Sequence, residues 1–242
     1  MKRRDLILGG AALGGLALLP DRRKVAAVAA PKPAPATSRD GKLLQLARQE
    51  LDRLGSAIPL TDMVAIVDFG LHSAQERIHF VDMEGGTVRS FYCTHGYGSD
   101  EKHTGWLRAW SNVPESLASS RGAYRTRGDY VGQFGKSMRL DGLDPSNDMA
   151  LDRAIVMHPA DYASPAHVAK WGVLGRSNGC FAMGPDEFRY ALDKLPDGRL
   201  LMAESYGIAA DGSLVDTPEQ HDLVLLKPDN PNTFERTNPG VF

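Results

Sequence analysis

The residues best suited to chemistry in this sequence are His158 and Cys180. The apolar run Ile155-Val156-Met157 ends in His158, and the polar turn Ser177-Asn178-Gly179 leads into Cys180. A cysteine is a useful nucleophile only as its thiolate, and a neighbouring imidazole can take the proton. Gly179 lets the backbone approach closely, so amides near Gly179 and Cys180 could bind an oxyanion. The pattern suits a Cys–His dyad, but spacing alone does not separate it from a buried cysteine and a core histidine.

A serine nucleophile is an alternative in the same segment. Gly175-Arg176-Ser177-Asn178-Gly179 fits the pattern G-x-S-x-G, which would make Ser177 the nucleophile. That turn requires a helix after it, followed by an acid and then a histidine. Only His221 follows Ser177, and Phe181-Ala182-Met183-Gly184-Pro185 is a poor helix start. A serine hydrolase is therefore the less favoured interpretation.

The sequence predicts no metal and no cofactor. Its seven histidines are scattered, with neither an H-E-x-x-H motif nor paired cysteines. His95, His103 and Asp100 are the only group that suggests a set of ligands, and their spacing matches no known motif. Cys93 lies in a β-rich run and is expected to be buried and inert, since the positions of two cysteines in a sequence do not establish a disulfide.

The elements that must position these residues are mostly strands. Leucine and alanine at helical spacing predict a helix from Asp40 to Gly55, with Asp40 as a possible N-cap and Gly55 as a possible C-cap. A second helix is predicted over Pro185–Leu195. Strands are predicted at Met63–Phe69, Arg77–Met83, Thr87–Thr94, Gly122–Arg127, Ser137–Leu140, Arg153–His158, Leu200–Tyr206 and Asp222–Lys227. Because strands dominate without alternating with helices, we expect a mainly-β sandwich or barrel-like domain with a few short helices.

The chain divides into four expected segments. Residues 1–30 resemble an export signal, since a basic head containing Arg3-Arg4 precedes the apolar run Leu6–Leu19. The arginine pair suits twin-arginine export, and an ordinary secretory signal is the alternative. Residues 31–39 are a Pro/Ala linker, 40–229 a single catalytic domain with an N-terminal helix, and 230–242 a polar tail. We therefore expect an exported protein on the periplasmic or cell-wall side, with no stable membrane span after signal removal.

The overall charge limits the partners of this chain. With 28 Lys and Arg against 30 Asp and Glu, the formal net charge is -2. Binding to nucleic acid depends on clustered basic residues that neutralise phosphates. We therefore expect no nucleic-acid partner.

The segment around the dyad resembles a known family. His158, an intervening loop and Ser177-Asn178-Gly179-Cys180 are similar to the signature of L,D-transpeptidases, in which a histidine precedes an S/T-x-G-C turn. The likeness extends over roughly residues 64–206 and includes His95-Gly96-Tyr97-Gly98-Ser99, Ser119-Ser120-Arg121-Gly122-Ala123-Tyr124, Tyr130-Val131-Gly132, Arg139-Leu140-Asp141-Gly142-Leu143-Asp144 and the segment Arg153–Cys180. These segments resemble the murein L,D-transpeptidase catalytic domain family, which comprises YkuD-like cysteine transpeptidases.

The resemblance implies a mostly-β catalytic domain that acts on peptidoglycan stem peptides. Cys180 would form a thioester acyl-enzyme, with His158 as general base and acid, Gly179 near the oxyanion, and Ser177 or a nearby backbone carbonyl orienting the histidine ring. An amine acceptor would make the enzyme a transpeptidase, and water would make it an L,D-carboxypeptidase. A non-catalytic wall-binding module with the same fold is a third possibility.

Four residues are expected to contact substrate or border its site. Arg176 could bind a stem carboxylate, because planar bidentate recognition favours arginine, and a structural ion pair is the alternative. Tyr162 could line the cleft or pack beneath it, and His95 is expected in a turn that borders the site. Asn178 stands where the family most often has histidine. The arginine that commonly follows the cysteine is also replaced, since Phe181 and Ala182 stand there and Arg176 lies before the cysteine.

Overall fold

The computed structural model describes residues 35–223, so the expected export signal, the first residues of the linker and the tail lie outside the described residues. The first helix within the described residues is α1 (Arg39–Leu54), close to the predicted bounds. Its N-cap is Ser38, whose hydroxyl accepts a hydrogen bond from the Gly41 amide at 3.1 Å, and not Asp40, which lies in the first turn. Gly55 ends the helix with φ of 52°, as predicted.

Most of the remaining elements are strands, which confirms the predicted mainly-β fold. They are β1 (Met63–Asp68), β2 (Ile78–Asp82), β3 (Thr87–Phe91), β4 (Ala109–Trp110), β5 (Gly122–Gly132), β6 (Gly135–Gly142), β7 (Val156–Pro159), β8 (Phe181–Met183), β9 (Leu200–Glu204) and β10 (His221–Asp222). Eight of them form one sheet in the order β3-β2-β1-β9-β5-β6-β7-β8, and β4 pairs with β10. The pairs β1–β9 and β7–β8 within the large sheet are parallel, and its other pairs are antiparallel.

Two further α-helices follow β7 and β8, the last two strands in the order of the large sheet. Helix α2 (Pro165–Trp171) was not predicted from the sequence, and helix α3 (Pro185–Lys194) matches its prediction. Ser164 caps α2 by accepting a hydrogen bond from the His167 amide at 3.3 Å, and Pro165 opens the helix. This short helix occupies the connection from β7 to β8, because parallel strands cannot be joined by a tight turn.

The observed strand bounds differ from the predicted ones, and three strands illustrate the differences. β7 begins at Val156 rather than Arg153, because Ala154 has φ of 52° and interrupts the extended backbone. β5 continues to Gly132 through a register shift between Arg127 and Asp129. The predicted strand Asp222–Lys227 overlaps β10 only at Asp222, and its residues after Leu223 lie outside the described residues.

The large sheet has an apolar core on each face. Alternate residues of a strand point to opposite faces, so Val64 and Ile66 pack towards helix α1 while Ala65 and Val67 face the other side. That second side holds the larger core, in which Phe69, Phe80, Met157 and Phe181 pack with Phe188 of α3. The residues of β7 and β8 that point away from this core are therefore available to a site.

None of the helices within residues 35–223 has the length and apolar character that a bilayer span requires.

Two buried histidines have lowered pKa values, and from these we predict that acid destabilises the fold. Burial and, secondarily, the charge of Arg39 lower the pKa of His79 to about 3, and burial followed by the charge of Arg77 lowers the pKa of His95 to about 4. An unfolded histidine takes up a proton near pH 6.5, so between about pH 6.5 and 4 the unfolded chain binds more protons than the folded one. The free energy of unfolding should therefore fall as pH is lowered through this range, by up to about 1.4 kcal/mol per pH unit for each histidine.

Urea unfolding between pH 7.5 and 4 measures this slope. His79→Gln should make the slope of the unfolding free energy against pH shallower, by up to the contribution of one histidine. The matched control is His221→Gln, which replaces an exposed histidine and should leave the slope unchanged. Equal slopes in wild type and His79→Gln would contradict the assignment of this acid sensitivity to His79.

Candidate active site

The parallel pairing of β7 and β8 brings the predicted dyad to one face of the sheet. Met157 lies opposite Phe181 and His158 opposite Ala182. Met157 and Phe181 point into the larger core, so His158 and the residue before Phe181, Cys180, point to the opposite face. His158 on β7 and Cys180, which directly precedes β8, are thus diagonal neighbours, although their sequence positions differ by 22.

The thiol of Cys180 is buried and protonated at neutral pH. The side chain is 8% exposed, and its sulfur donates to the Ala154 carbonyl at 3.6 Å. Burial raises the pKa of Cys180 to about 11, while the Val156 amide and the charge of Arg153 act in the opposite direction. A carbonyl can accept the S–H but cannot stabilise a thiolate, so the thiol must be activated when it reacts.

His158 has one ring nitrogen fixed and the other free to accept a proton. Its Nδ1 lies 3.0 Å from the Pro159 carbonyl, which can only accept, so Nδ1 carries the proton and Nε2 does not. Burial lowers the pKa of His158, which keeps the imidazole neutral. The ring stacks on Phe134, in the two-residue turn between β5 and β6, with centroids 4.1 Å apart. A neutral imidazole with a free Nε2 has the form that a general base requires.

Ser177 closes the turn that carries Cys180. Its hydroxyl donates to the Cys180 carbonyl at 2.6 Å and accepts from the Gly179 amide at 3.2 Å. The hydroxyl is therefore bonded within the turn and not to His158, whose orienting partner is the Pro159 carbonyl. For the same reason the Gly179 amide already has a partner, and the neighbouring amide for an oxyanion is that of Cys180. Ser177 is 2% exposed, a position unsuited to a nucleophile.

A neighbouring chain segment fixes this turn from the side. Gly96 pairs with Ser177 in a parallel bridge, the His95 carbonyl accepts from the Ser177 amide at 3.1 Å, and the Tyr97 amide donates to the Ser177 carbonyl at 2.7 Å. Further along, the Thr94 amide donates to the Ala182 carbonyl at 3.0 Å. These bonds cover the outer edge of β8 and extend the sheet by one irregular strand.

Three glycines allow residues 116–118 to pack closely against the segment that follows His95 and against the turn that precedes Cys180. A Cβ atom on Gly98 would overlap the carbonyl oxygen of Ser116, and one on Gly96 would overlap that of Leu117. Gly179 has φ of 107°, and a Cβ there would lie 2.6 Å from the Ala118 oxygen. The consecutive carbonyls of residues 116–118 therefore form a wall against the turn Ser177–Cys180, which explains the glycine preceding Cys180.

His95 lies beneath this turn and does not line an open surface. It is 1% exposed, its Nδ1 lies 3.0 Å from the buried Arg77 guanidinium, and its Nε2 lies 3.4 Å from Asp100. Arginine only donates, so Nδ1 is the acceptor and Nε2 donates to Asp100. Burial opposes ionisation of Asp100, but hydrogen bonds from His95 and from the amides of Thr104 and Gly105 lower its pKa to about 2. The substrate contact expected of His95 does not fit this position, because buried hydrogen bonds occupy both ring nitrogens.

The other expected substrate residues lie nearer the surface. Arg176 is half-buried, donates to the Asp100 and Glu101 carbonyls, and places its guanidinium 4.4 Å from the centroid of the Tyr97 ring. Tyr162 is half-buried against Gly175, and burial followed by the charge of Cys180 raises its pKa. Asn178 is exposed in the turn next to Gly179. Arg176 makes no ion pair with a carboxylate within residues 35–223, since its described partners are carbonyl oxygens and an aromatic ring.

A cavity of about 520 Å³ lies near the segment that follows Gly96. Its lining includes Asp100, Lys102, Arg108 and His221, but neither Cys180 nor His158. Across the described range 35–223, no cluster of three or more His, Cys, Asp or Glu side chains is arranged to hold a metal ion.

Two residues of the site carried no signal in the sequence. Phe134 covers His158 from a hairpin turn that is distant in sequence, and Arg153 donates to four oxygens of the segment Ser111–Ser120. The turn Gly132-Gln133-Phe134-Gly135 indicates a hairpin, but nothing in the sequence indicates where its tip lies.

Fold and site together define a mainly-β protein in which a cysteine turn and a histidine strand meet at the edge of one sheet. Residues 36–203, well over half of the chain, match the family model for the L,D-transpeptidase catalytic domain. The chain belongs to the L,D-transpeptidase catalytic domain family.

Comparison with solved structures gave mycobacterial L,D-transpeptidases. The chain is 13% identical to an L,D-transpeptidase from Mycobacterium smegmatis, covering 60% of this chain and 59% of that one, with a TM-score of 0.36. An L,D-transpeptidase from Mycobacterium tuberculosis is 11% identical, with 60% and 58% covered and a TM-score of 0.39. L,D-transpeptidase LdtMt1 in complex with imipenem is 13% identical, with 59% of each chain covered and a TM-score of 0.36. The chain thus spans about three fifths of these proteins. A search of curated proteins gave no match.

The contact between Gly179 and Ala118 leads to a testable prediction. Gly179→Ala forces a side chain into a backbone conformation that costs about 1–3 kcal/mol and places its Cβ 2.6 Å from a carbonyl oxygen. Gly172→Ala is the matched control, because Gly172 has φ of 74° but nothing within 4 Å of its Cβ position. Urea unfolding should show a larger loss for Gly179→Ala, and iodoacetamide should modify Cys180 at an altered rate only in that variant. Equal losses in the two variants would show that the wall does not constrain the turn.

Proposed function

We propose that this chain is an exported peptidoglycan L,D-transpeptidase that uses Cys180 as nucleophile and His158 as general base and acid. The observation that supports it best is the placement of both side chains on one face of the β7–β8 pair, with Nε2 of His158 free to accept a proton. Membership of the L,D-transpeptidase catalytic domain family supports the substrate class.

The reaction begins with a proton transfer inside a buried pair. His158 takes the thiol proton as the Cys180 sulfur attacks the carbonyl of the third residue of a donor stem peptide. The resulting oxyanion lies near the amide of Cys180, because the Gly179 amide is engaged by Ser177. Collapse of this intermediate breaks the peptide bond and transfers the proton from His158 to the departing D-alanine amine. The product is a thioester between the stem and Cys180.

The second half of the reaction regenerates the thiol. The amine of a neighbouring stem attacks the thioester, gives up a proton to His158 and forms a new amide bond, the 3→3 crosslink. The proton then returns to the departing sulfur of Cys180. Water in place of the amine would release a free carboxylate, which is the L,D-carboxypeptidase reaction. No observation on this chain favours water, so transpeptidation is the proposed outcome.

The environment of the dyad suits a pair that becomes charged only during reaction. Both groups are neutral at rest, since burial lowers the pKa of His158 and raises that of Cys180. Phe134 and the wall at residues 116–118 limit the water around them. A dry site disfavours hydrolysis of the thioester and strengthens the electrostatic effect of nearby donors.

Two of the surface residues are proposed to hold substrate. Arg176 has one terminal nitrogen bonded to backbone carbonyls, and its remaining donors are proposed to bind a stem carboxylate. Asn178, exposed beside the nucleophile, is proposed to contact the donor stem.

Acylation followed by mass spectrometry tests the roles of Cys180 and His158. Wild type exposed to imipenem should gain one adduct, on the tryptic peptide that contains Cys180, and Cys180→Ala should gain none. Cys93→Ala is the matched cysteine control and should acylate as wild type does, because Cys93 is fully buried in the core. His158→Ala should acylate slowly near pH 7 and faster as pH rises, since hydroxide must then ionise a thiol whose pKa is about 11.

Product analysis after incubating the same proteins with disaccharide–tetrapeptide distinguishes the competing functions. Release of D-alanine with crosslinked dimer indicates a transpeptidase, and release without dimer indicates a carboxypeptidase. Activity that survives in Cys180→Ala but disappears in Ser177→Ala would assign the reaction to a serine hydrolase. Sacculus binding without adduct or product in any protein would indicate a wall-binding module and overturn the proposal.

A further inference from the structure

Arg153 is a cation that lacks an acidic partner among the described residues. Its guanidinium donates to the Ser111 carbonyl at 2.6 Å, the Ser120 hydroxyl at 2.5 Å, the Ser116 hydroxyl at 3.1 Å and the Ala118 carbonyl at 2.6 Å. All four acceptors are uncharged. Two other half-buried arginines of the domain have carboxylate partners, since Arg199 pairs with Asp62 at 2.8 Å and Arg125 with Asp141 at 2.9 Å. Half-buried Arg176 resembles Arg153 in donating to carbonyl oxygens.

Placing a guanidinium here without a counter-ion has a cost. Removing a charge from water is unfavourable unless hydrogen bonds or an opposite charge compensate for it. Burial lowers the pKa of Arg153. Because a guanidinium keeps its proton in proteins, the group is still charged at neutral pH. The four hydrogen bonds satisfy the donors but leave a net positive charge beside the site.

The backbone places that charge beside the nucleophile. Arg153 directly precedes Ala154, whose carbonyl contacts the sulfur of Cys180 at 3.6 Å. The Ala118 oxygen that accepts from Arg153 is also the oxygen against which Gly179 packs. One atom, the Ala118 oxygen, therefore separates the guanidinium from the nucleophile turn.

The other titratable groups around Cys180 are neutral at rest. They are His158 on β7, Tyr124 on β5 and Tyr162 in the connection from β7 to β8. Burial lowers the pKa of His158, and burial raises the pKa of each tyrosine. Among the residues that the structure describes around the sulfur, Arg153 is the group that carries a positive charge before the reaction starts.

We propose that Arg153 is a positioning residue of the reaction: it holds the Ser116–Ser120 segment against the nucleophile turn and supplies the positive charge that stabilises the Cys180 thiolate. The first role acts through hydrogen bonds to Ser116, Ala118 and Ser120. The second acts through the field at the sulfur, where the Ala154 carbonyl would otherwise disfavour a negative charge. This inference rests on the proposed function of Cys180 as nucleophile.

Titration of the Cys180 thiolate separates the charge from the hydrogen bonds. Far-ultraviolet thiolate absorbance is followed against pH, each protein being compared with its matching Cys180→Ala version. Arg153→Gln removes the positive charge. Arg153→Lys keeps the charge but lacks the planar guanidinium that makes several hydrogen bonds at once. Arg199→Gln is the matched control, because Arg199 has a carboxylate partner. Circular dichroism and thermal unfolding show that each protein is folded.

Arg153→Gln should raise the midpoint by about one pH unit, which lowers the thiolate fraction roughly tenfold at any pH below the midpoint. Arg153→Lys should keep the midpoint nearer to wild type but acylate with imipenem more slowly, because the 116–120 segment is no longer held. Ser116→Ala, which leaves the charge in place, should likewise slow acylation without moving the midpoint. Arg199→Gln should change neither quantity.

A folded Arg153→Gln protein with the wild-type midpoint would overturn the electrostatic role. If that variant does not fold, the lysine variant decides, and a midpoint raised by a full pH unit in Arg153→Lys would overturn the same role. Wild-type acylation rates in both Arg153→Lys and Ser116→Ala would overturn the positioning role. Absence of any imipenem adduct in wild type would instead count against the proposed function, and the titration would still report on Arg153.

Discussion

The parallel pairing of β7 and β8 is the constraint on which the site depends. It fixes Met157 opposite Phe181 and thereby turns His158 and Cys180 to the same face. Because side chains alternate along a strand, a slip of one residue in either strand would send one partner into the core. The apolar side chains of Met157, Phe181 and Met183 resist such a slip, since they fill the larger core. Core packing therefore sets the geometry of the proposed dyad.

The turn Ser177–Cys180 is held by backbone contacts rather than by large side chains. The His95 carbonyl and the Tyr97 amide bond Ser177 on one side, and the carbonyls of residues 116–118 lie against glycines on the other. Asp100 in turn fixes the loop after His95 by accepting from the amides of Thr104 and Gly105. Close backbone packing of this kind is rigid, because any added methyl group would collide. Rigidity around the sulfur suits a reaction that requires an attack geometry fixed in advance.

Burial has opposite consequences for the two members of the dyad, and both favour the neutral form. A buried imidazole loses its proton more easily, and a buried thiol keeps its proton more firmly. At rest the site therefore contains a thiol and a neutral imidazole rather than an ion pair. In the proposed reaction, charge appears when the sulfur attacks, and the positive charge of Arg153 is proposed to stabilise it.

The sequence alone determined the local features of this protein. Capping and periodicity placed α1 and α3, β-rich runs placed most strands of the large sheet, and the motif Ser177–Cys180 with His158 indicated the family that the match over residues 36–203 shows. Local preference could not place β8, which has three residues, or α2, and it put the N-cap of α1 at Asp40 instead of Ser38. The burial of His95, the bonding of Ser177 within its own turn, the cover by Phe134 and the approach of Arg153 were decided only by tertiary structure. Each of these depends on contacts between segments far apart in the chain, whose energies come from packing and shared hydrogen bonds that no local pattern records.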